Sequence, residues 1–314
     1  MAELSVHICT FNPRPAHLER TIAALQQQTL PRERWELLLV DNASTTEVAR
    51  RADLSWHPRA LYLREDRLGK THALLLAIRE AQADLLVTVD DDNVLASDYL
   101  QTCLQIEAEF PKLGAWGGQI IPEFETLPPE WAKPHLHNLA LYEARRDVWT
   151  NLPRAEHLPP GAGMCFRAEV GRRYSELVRQ DPRRAGLDRR GELMIGCGDT
   201  DLALTAVDLG YGTGRFTQLR LTHLIPQERV TEAALLDLIE RTAYSFTLLH
   251  AIRPETAPSP AIRPHGWRGR MAGWLDRINN WLQDREERAV REAAWRGVRM
   301  ATRELSTRPR RTEV

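Results

Sequence analysis

The segment DLLVTVDDDN at residues 84–93 decides the fold, because an unbroken run of apolar and β-branched residues leads directly into an acidic cluster. Such a run is typical of a strand that is buried on both faces of a parallel sheet. The segment ELLLVDNAS at residues 36–44 has the same pattern, an apolar strand that ends on an aspartate. We predict two further strands at Leu4–Thr10 and Ala60–Leu63.

Helical patterns separate these strands. We predict helices over His17–Gln28 and Lys70–Ala81, and strands that alternate with helices in this way indicate an α/β fold with a mainly parallel, doubly wound sheet. Residues 122–160 are rich in proline and show no period, which favours an irregular segment with an acceptor-binding surface. Regular pattern then returns as a helix, a strand and a helix at Asp201–Leu209, Leu219–Leu224 and Thr231–Ile252.

The composition bounds the class of protein. The chain has 314 residues, of which 43% are hydrophobic and 27% charged, enough for one large domain or two small ones. Its four cysteines form no C-x-x-C pair, which argues against a zinc ribbon or a disulfide scaffold and suits the cytosol. We find no apolar run long enough to span a membrane and no signal-peptide pattern, so we expect a soluble cytoplasmic protein. The net charge of −1 gives no reason to expect nucleic acid as a partner.

Polar residues follow three of the predicted strands. These are Thr10-Phe11-Asn12, Asp41–Ser44 and Asp90–Asn93, and ligands of parallel α/β sheets bind at such carboxyl ends. Three consecutive aspartates repel one another when buried, and a Mg²⁺ or Mn²⁺ ion would relieve that repulsion. The alternative is a solvated acidic turn that caps a helix near Ser97. The other polar strand ends lead us to favour the metal site.

Motifs of other nucleotide-binding classes are absent. The chain has no G-x-G-x-x-G after its first strand and no G-x-x-x-x-G-K-[ST], since Gly69-Lys70-Thr71 lacks the leading glycine. Dinucleotide oxidoreductases and P-loop nucleotidases are therefore disfavoured.

Five motifs in order resemble the family 2 glycosyltransferases with the GT-A fold. The resemblance covers roughly residues 4–225, and its motifs are VHICTFN at 6–12, LLLVDNAS at 37–44, GKTHAL at 69–74, VDDDN at 89–93 and GDTDLALTAVDLGY at 198–211. Each motif alone is common, but their ordered combination is specific.

The resemblance implies a nucleotide-binding role for the first strand ends. Thr10, Phe11 and Asn12 occupy the motif that cradles the nucleotide. Asp41 matches the aspartate that bonds the donor base, usually uracil, and Lys70 matches a residue near the nucleotide and the D-x-D carboxylates.

The resemblance also implies the metal and catalytic residues. Asp92 would be the metal ligand of the D-x-D signature, with Asp90 or Asp91 near the ribose. His223 would be a further polar group at the diphosphate or the metal. Asp199 matches the catalytic base of the E-D motif in inverting members.

The sequence departs from the family around this base. The E-D pair is Gly198-Asp199 here, so we consider Asp201 as a source of the second carboxylate. A purely structural role for Asp199, as the N-cap of the helix Asp201–Leu209, is the alternative. The segment Pro159–Gly163 suits a tight wall without side chains near the sugar, or is simply a turn. Because the Q-x-x-R-W signature and membrane helices of polymerising synthases are absent, we expect single sugar additions.

The leading hypothesis is a metal-dependent, inverting glycosyltransferase that uses a nucleotide-diphosphate sugar, with UDP favoured, and a saccharide or lipid-linked acceptor. We assign a GT-A domain to residues 1–253, with a nucleotide-binding half at 1–120 and an acceptor-binding half at 121–253. The alternatives are a sugar-1-phosphate nucleotidyltransferase, whose Gly-rich first loop is missing, and an inactive nucleotide-sugar-binding module.

The C-terminal region, residues 254–314, is predicted to be a Pro-rich break followed by a basic amphipathic helical tail. Residues 263–314 contain 13 arginines, no lysine and 7 acidic residues. Trp267, Trp274 and Trp281 recur every seven residues and predict an apolar helical stripe. Such a stripe either lies on the inner face of an anionic membrane or packs on protein, the catalytic domain or a second subunit, and the pattern leaves both open.

Overall fold

Four parallel strands form the first half of the sheet. A computed structural model describes residues 2–143, 145–153, 157–190, 193–256 and 285–307 of the chain. The strands β1 (Leu4–Thr10), β2 (Trp35–Asp41), β3 (Ala60–Arg64) and β4 (Leu85–Asp90) lie in the order β3-β2-β1-β4. All of their pairings are parallel, and β1, β2 and β4 are almost wholly buried, as their apolar runs predict.

Helices cover both faces of these strands. The helices are α1 (Pro15–Gln26), α2 (Val48–Arg51), α3 (Lys70–Glu80) and α4 (Tyr99–Glu109). Successive strand residues point to opposite faces, so Val6 and Ile8 pack with α1 and α4, whereas Leu86 packs with α3 on the other side. The predicted first helices are confirmed within two residues at each end.

The rest of the sheet is mixed. Its strands are β5 (Asn93–Leu95), β6 (Leu113–Phe124), β7 (Val148–Thr150), β8 (Cys165–Arg167) and β11 (Gly212–Ile225). The strands β9 (Asp188–Arg190) and β10 (Leu193–Gly196) form a separate antiparallel hairpin. The short strand β8 runs antiparallel between β4 and β6, and β6 pairs parallel with the long β11. The sheet order continues β4-β8-β6-β11-β5, with β7 also on β11.

The strand predicted at Leu219–Leu224 is much longer than expected. It extends over Gly212–Ile225 because β6 offers a parallel partner along this length, with register shifts between Phe216 and Arg220. Gly118 of β6 sits at that irregularity, where a Cβ atom would lie 2.1 Å from the carbonyl oxygen of Leu219. Only a glycine permits so close an approach of the two backbones.

The irregular segment predicted at residues 122–160 contains the end of β6, a 3₁₀ helix over Glu130–Leu139 and β7. Beyond it lie α5 (Ala168–Gln180), α6 (Gly198–Asp208), α7 (Glu232–Ile252) and α8 (Arg285–Thr307). Helix α6 begins three residues before the predicted start at Asp201, which moves Asp199 into its first turn. No helix of the described ranges is long and apolar enough to cross a membrane.

The C-terminal helix α8 packs along α7 through small residues. Ala293, Gly297 and Ala301 recur every four residues and are buried in this contact. Beside them, Arg296 Nε donates to Glu240 Oε2 at 2.7 Å. The predicted tryptophan stripe at Trp267, Trp274 and Trp281 lies outside the described residues, so the choice between membrane and protein contact for that stripe stays a prediction.

Gly297→Ala is expected to loosen α8 from α7. The added Cβ would lie 2.0 Å from the backbone oxygen of Glu240, which no side-chain movement can relieve. Overpacking of this kind costs about 1–3 kcal/mol, and we expect a lower unfolding midpoint and faster proteolysis of the C-terminal helix. Arg299→Ala, at an exposed position of the same helix, is the control. Equal protection of α8 in Gly297→Ala and the control would contradict this packing.

Candidate active site

A cavity of about 160 Å³ opens at the carboxyl ends of β1 and β4. It is lined by residues at or just beyond the ends of β1, β2 and β4, and by residues of α3 and β9: Cys9, Thr10, Phe11, Asn42, Lys70, Ala73, Asp90, Asp91 and Arg189. Five of the predicted nucleotide-binding residues therefore meet at one place, as the parallel strand ends imply. Asn12 and Asp41 do not line the cavity. Both make hydrogen bonds to residues of the loop that follows β2.

Asn12 shapes the loop that follows β2. Its backbone has a φ of +46°, in the left-handed region that asparagine tolerates. Its Oδ1 atom accepts from the Thr45 backbone N–H at 2.9 Å, and its own N–H donates to Ser44 Oγ at 2.9 Å. Asn12 thus joins the ends of β1 and β2.

Asp41 is buried, and its carboxylate already has three partners. Oδ1 accepts from the Ser44 backbone N–H at 2.9 Å, and Oδ2 accepts from Tyr62 Oη at 2.8 Å and Arg64 Nη1 at 2.7 Å. Burial opposes ionisation, but these hydrogen bonds and the charge of Arg64 lower the pKa of Asp41. A direct contact of Asp41 with a donor base stays a prediction, and the next residue, Asn42, is the one that reaches the cavity.

Lys70 is the first residue of α3 and extends its amine into the cavity. Gly69 precedes it with a φ of +142°, a conformation that side chains disfavour, and donates its N–H to Asn42 Oδ1 at 2.7 Å. Lys70 Nζ lies 2.6 Å from Asp90 Oδ1. Burial opposes the charge, but the carboxylates of Asp90 and Asp188 raise the pKa of Lys70.

Each aspartate of the acidic cluster has its own partner. Asp90 pairs with Lys70, Asp91 accepts from Thr10 Oγ1, and Asp92 accepts from Asn93 Nδ2 at 2.9 Å. Burial, and then the charge of Asp92, raise the pKa of Asp91 to about 7. Protein groups therefore relieve part of the repulsion within the cluster. The sequence pattern had led us to expect that a metal ion alone would do so.

The alternative that this cluster caps a helix is wrong. The chain continues from Asp92 into β5, and α4 begins only at Tyr99. Its N-cap position is occupied by Asp98, whose side chain makes no capping hydrogen bond.

Asp92 and His223 form the pair that could hold a metal ion. His223 Nε2 lies 3.3 Å from Asp92 Oδ2, and Arg229 Nη1 lies 3.7 Å from the same oxygen. Burial opposes ionisation of Asp92, but the hydrogen bond and charge of His223 hold its pKa far below the usual range. In the part of the chain that the structure describes, no three His, Cys, Asp or Glu side chains converge as a complete metal site. One carboxylate and one imidazole nonetheless fit a Mg²⁺ or Mn²⁺ ion that takes its other ligands from phosphates and water.

Asp199 lies in the first turn of α6, against the backbone of the Pro159–Gly163 segment. Its Oδ2 accepts from the Gly161 N–H and its Oδ1 from the Thr200 N–H, both at 2.7 Å. A Cβ atom at Gly161 would lie 2.8 Å from that of Asp199, so glycine is required for this approach. Because Cys197 holds the N-cap position, the N-cap role considered for Asp199 is wrong, and its half-buried carboxylate is oriented by two backbone donors.

Asp201 belongs to the core rather than to the site. It is fully buried, and its Oδ1 accepts from Arg184 Nη1 and from Arg253 Nε, each at 2.5 Å. Arg253 also contacts Asp208 at 2.9 Å. The suggestion that Asp201 supplies a second carboxylate beside Asp199 is therefore wrong, because its charge is committed to tying α6 to the end of α7.

Asp201→Asn is expected to destabilise the fold strongly, since it removes the buried negative charge that Arg184 and Arg253 share. Breaking a buried ion pair from one side typically costs about 3–5 kcal/mol, which urea or thermal unfolding would measure. The matched control is Asp199→Asn, two residues away and half-buried, for which we expect a small change. Equal stability of the two variants would contradict the structural role of Asp201.

Two cations of the site were not predicted from the sequence. Arg189 lines the cavity, and the charges of Asp90, Asp92, Asp188 and Asp91 raise its pKa although burial opposes this. Arg229 stands beside Asp92 and His223. Neither belongs to a recognisable spacing: Arg189 lies in the short strand β9 and Arg229 in a 3₁₀ helix over Gln227–Val230, and only the tertiary structure brings both segments to the site.

A mostly parallel sheet with carboxylates and cations gathered at its strand ends is the architecture of the GT-A class of glycosyltransferases. The chain belongs to the glycosyl transferase family 2, since the model of that family matches residues 5–170, a little over half of the chain. This confirms the resemblance from which the site residues were inferred. It also disfavours the sugar-1-phosphate nucleotidyltransferase considered as an alternative.

Known proteins show the same likeness. The chain is 30% identical over 120 residues to an N-acetylglucosaminyltransferase of Rhizobium meliloti (strain 1021), a match that spans 37% of this chain and only 28% of that protein. The structure resembles a mannosyltransferase, PcManGT, from Pyrobaculum calidifontis in complex with GDP-Man and Mn²⁺, with a TM-score of 0.53, 21% identity, and coverage of 97% of this chain and 79% of that one. It also resembles S. aureus TarS, with a TM-score of 0.50, 11% identity, and coverage of 97% and 55% of the two chains.

Proposed function

We propose that this protein transfers a single sugar, with inversion, from a nucleotide-diphosphate sugar to a hydroxyl group of a saccharide or lipid-linked acceptor. The observation that carries the proposal is the cavity at the ends of β1 and β4, in which Lys70 and Arg189 face the acidic cluster Asp90–Asp92. A site of mixed charge suits a ligand with a polyanionic diphosphate and a hydroxyl-rich sugar.

The cations and the acidic cluster divide the work of binding the donor. Lys70, Arg189 and Arg229 attract the diphosphate, and Asp90 and Asp91 lie where ribose hydroxyl groups can donate to them. Asp92 and His223 would hold a Mn²⁺ or Mg²⁺ ion. When bound, such an ion supplies Lewis-acid neutralisation of the charge that develops on the leaving phosphate.

Asp199 is proposed to act as the base. The acceptor oxygen forms a bond to the anomeric carbon, the bond from that carbon to the phosphate oxygen breaks, and the hydroxyl proton passes to the Asp199 carboxylate. The Gly161 and Thr200 N–H groups fix this carboxylate without taking its charge away. A single base that activates the acceptor directly gives inversion of the anomeric centre.

The donor base and the acceptor are the finer parts of this proposal. We keep uracil as the favoured base, and the Pyrobaculum relative, which binds GDP-Man, makes guanine the competitor to include in the test. We also propose the division into a nucleotide-binding half at residues 1–120 and an acceptor-binding half at 121–253. Contact with a membrane or a second subunit would fall to the region from residue 254 onwards.

A thermal-shift screen of UDP- and GDP-sugars, with and without Mn²⁺, tests the proposal. A ligand at 100 times its dissociation constant stabilises the folded state by about 2.7 kcal/mol, which is easily detected. We expect one nucleotide class to raise the unfolding midpoint in the presence of Mn²⁺ and to support sugar transfer. No shift with any nucleotide sugar would refute the proposal, and binding without transfer to any saccharide acceptor would favour the inactive module.

A further inference from the structure

Asp188, the first residue of β9, stands between the nucleotide cavity and Asp199. It is 7% exposed, and its neighbour Arg189 lines the cavity. The charges that act on it come from Lys70 of α3, Asp199 of α6 and Arg189. Asp188 Oδ1 accepts from the Arg189 backbone N–H at 2.9 Å. This carboxylate thus interacts electrostatically with Lys70, which lines the cavity, and with Asp199.

The other oxygen of Asp188 lies directly over Gly198. A Cβ atom at position 198 would be 2.6 Å from Asp188 Oδ2 and 2.9 Å from its Cγ. A side chain at 198 and the carboxylate of Asp188 therefore exclude each other. Asp188 occupies the place that the side chain of the first residue of an acidic pair at 198–199 would fill. Glycine at position 198 is therefore what leaves room for the Asp188 carboxylate.

Asp188 and Gly161 lie against the first two residues of α6, Gly198 and Asp199. Asp188 contacts Gly198, and the Gly161 N–H donates to the carboxylate of Asp199. The negative charges of Asp188 and Asp199 repel each other, which favours the orientation of Asp199 towards Gly161. The charge of Asp188 also attracts the ammonium group of Lys70 across the cavity.

The fold gains little from this aspartate. Burial raises the pKa of Asp188, and Asp199 adds to this against the opposing charge of Lys70. An acid with a raised pKa in the folded state stabilises the fold less once pH rises through that pKa, so the ionised form costs stability at neutral pH. Carboxyl groups whose pKa is raised by burial beside a specific charged partner are typical of functional sites.

We propose that Asp188 is a positioning residue of the transfer site, and that it supplies beside Asp199 the second carboxylate that position 198 lacks. The inference rests on the proposed glycosyl transfer. It assigns to β9 a part in orienting the base and the lysine at the cavity.

The test begins with Asp188→Asn, which keeps the shape of the side chain and removes its charge. We expect kcat to fall by roughly 10²-fold, the scale of a misplaced catalytic group, with the donor KM changed less than about threefold. The unfolding midpoint should stay the same or rise. Asp84→Asn, at an exposed position, is the control for loss of one negative charge.

An exchange of the two positions makes the test specific. Gly198→Asp alone should lose activity and stability, because its side chain meets Asp188. The double variant Gly198→Asp/Asp188→Gly should recover stability and at least about a tenth of the wild-type kcat. In it, the carboxylate at position 198 occupies the space that the Asp188 carboxylate leaves.

The outcomes separate the inference from the proposed function. If the wild-type protein transfers sugar and Asp188→Asn does so equally well, the inference is wrong and the proposed function stands. The inference is also wrong if kcat and stability fall together in Asp188→Asn, or if the exchange recovers nothing beyond Asp188→Gly. If the wild-type protein transfers no sugar from any donor, the proposed function fails first.

Discussion

Asp92→Ala is expected to lower turnover roughly 10³-fold, because the several kcal/mol that a Lewis acid contributes to phosphate departure would be lost with its carboxylate ligand. No neighbour can replace that ligand, since Asp90 is bound to Lys70 and Asp91 to Thr10. The variant should also lose the stabilisation that donor and Mn²⁺ give the wild-type protein together. Turnover measured against Mn²⁺ concentration would show both effects.

Two comparisons make the Asp92 experiment decisive. His223→Ala removes the other member of the pair and should change the Mn²⁺ dependence in the same direction. Asp98→Ala, an exposed aspartate six residues further on, should behave like the wild-type protein. Full activity of Asp92→Ala, or undiminished wild-type activity in excess EDTA, would rule out the metal role.

Asp199→Asn is expected to reduce kcat by roughly 10²–10⁴-fold, the usual contribution of a positioned general base. Donor affinity should survive, because asparagine has nearly the same size and its oxygen can still accept from the Gly161 N–H. Steady-state kinetics with donor and acceptor varied separately would show a loss in kcat with little change in the donor KM.

The neighbouring acid provides the contrast for Asp199. We expect Asp201→Asn to impair folding rather than the chemical step, because it removes the negative charge that neutralises Arg184 and Arg253. A variant Asp199→Asn that turns over normally, or one whose donor affinity falls in parallel with kcat, would show that the base is another group.

The sequence predicted those parts of the fold that local pattern encodes. The bounds of β1 are as predicted, β3 and β4 differ by one residue at one end, and β2 differs by one residue at each end, because buried parallel strands are continuous apolar runs. The long strand β11 was recognised only in part. Its first part, residues 212–218, contains mostly small and polar residues, and it is a strand there because β6 and β7 lie alongside it.

The candidate site was predictable where polar residues end strands, and not where loops return to it. Thr10 and Asp90–Asp92 were found because they end or follow apolar strands, and Lys70 was found through the GKTHAL motif of the family resemblance. Asp188, Arg189 and Arg229 come from short segments without a period, and nothing in their spacing places them near the acidic cluster. The saturation of Asp41 by Tyr62 and Arg64 is also a product of tertiary packing.

The ion pair between Asp201 and Arg253 has a consequence for the order of folding during synthesis. A ribosome releases Asp201 well before Arg253, so for 52 residues of elongation the helix that carries Asp199 has only Arg184 to neutralise the acid in its core. Strands β1–β4 can assemble on the nascent chain in the meantime, since they are contiguous and N-terminal. The part of the site that contains Asp199 is therefore expected to be completed only after Arg253 has been synthesised, so a chain that stops before residue 253 should leave Asp201 incompletely neutralised in the core.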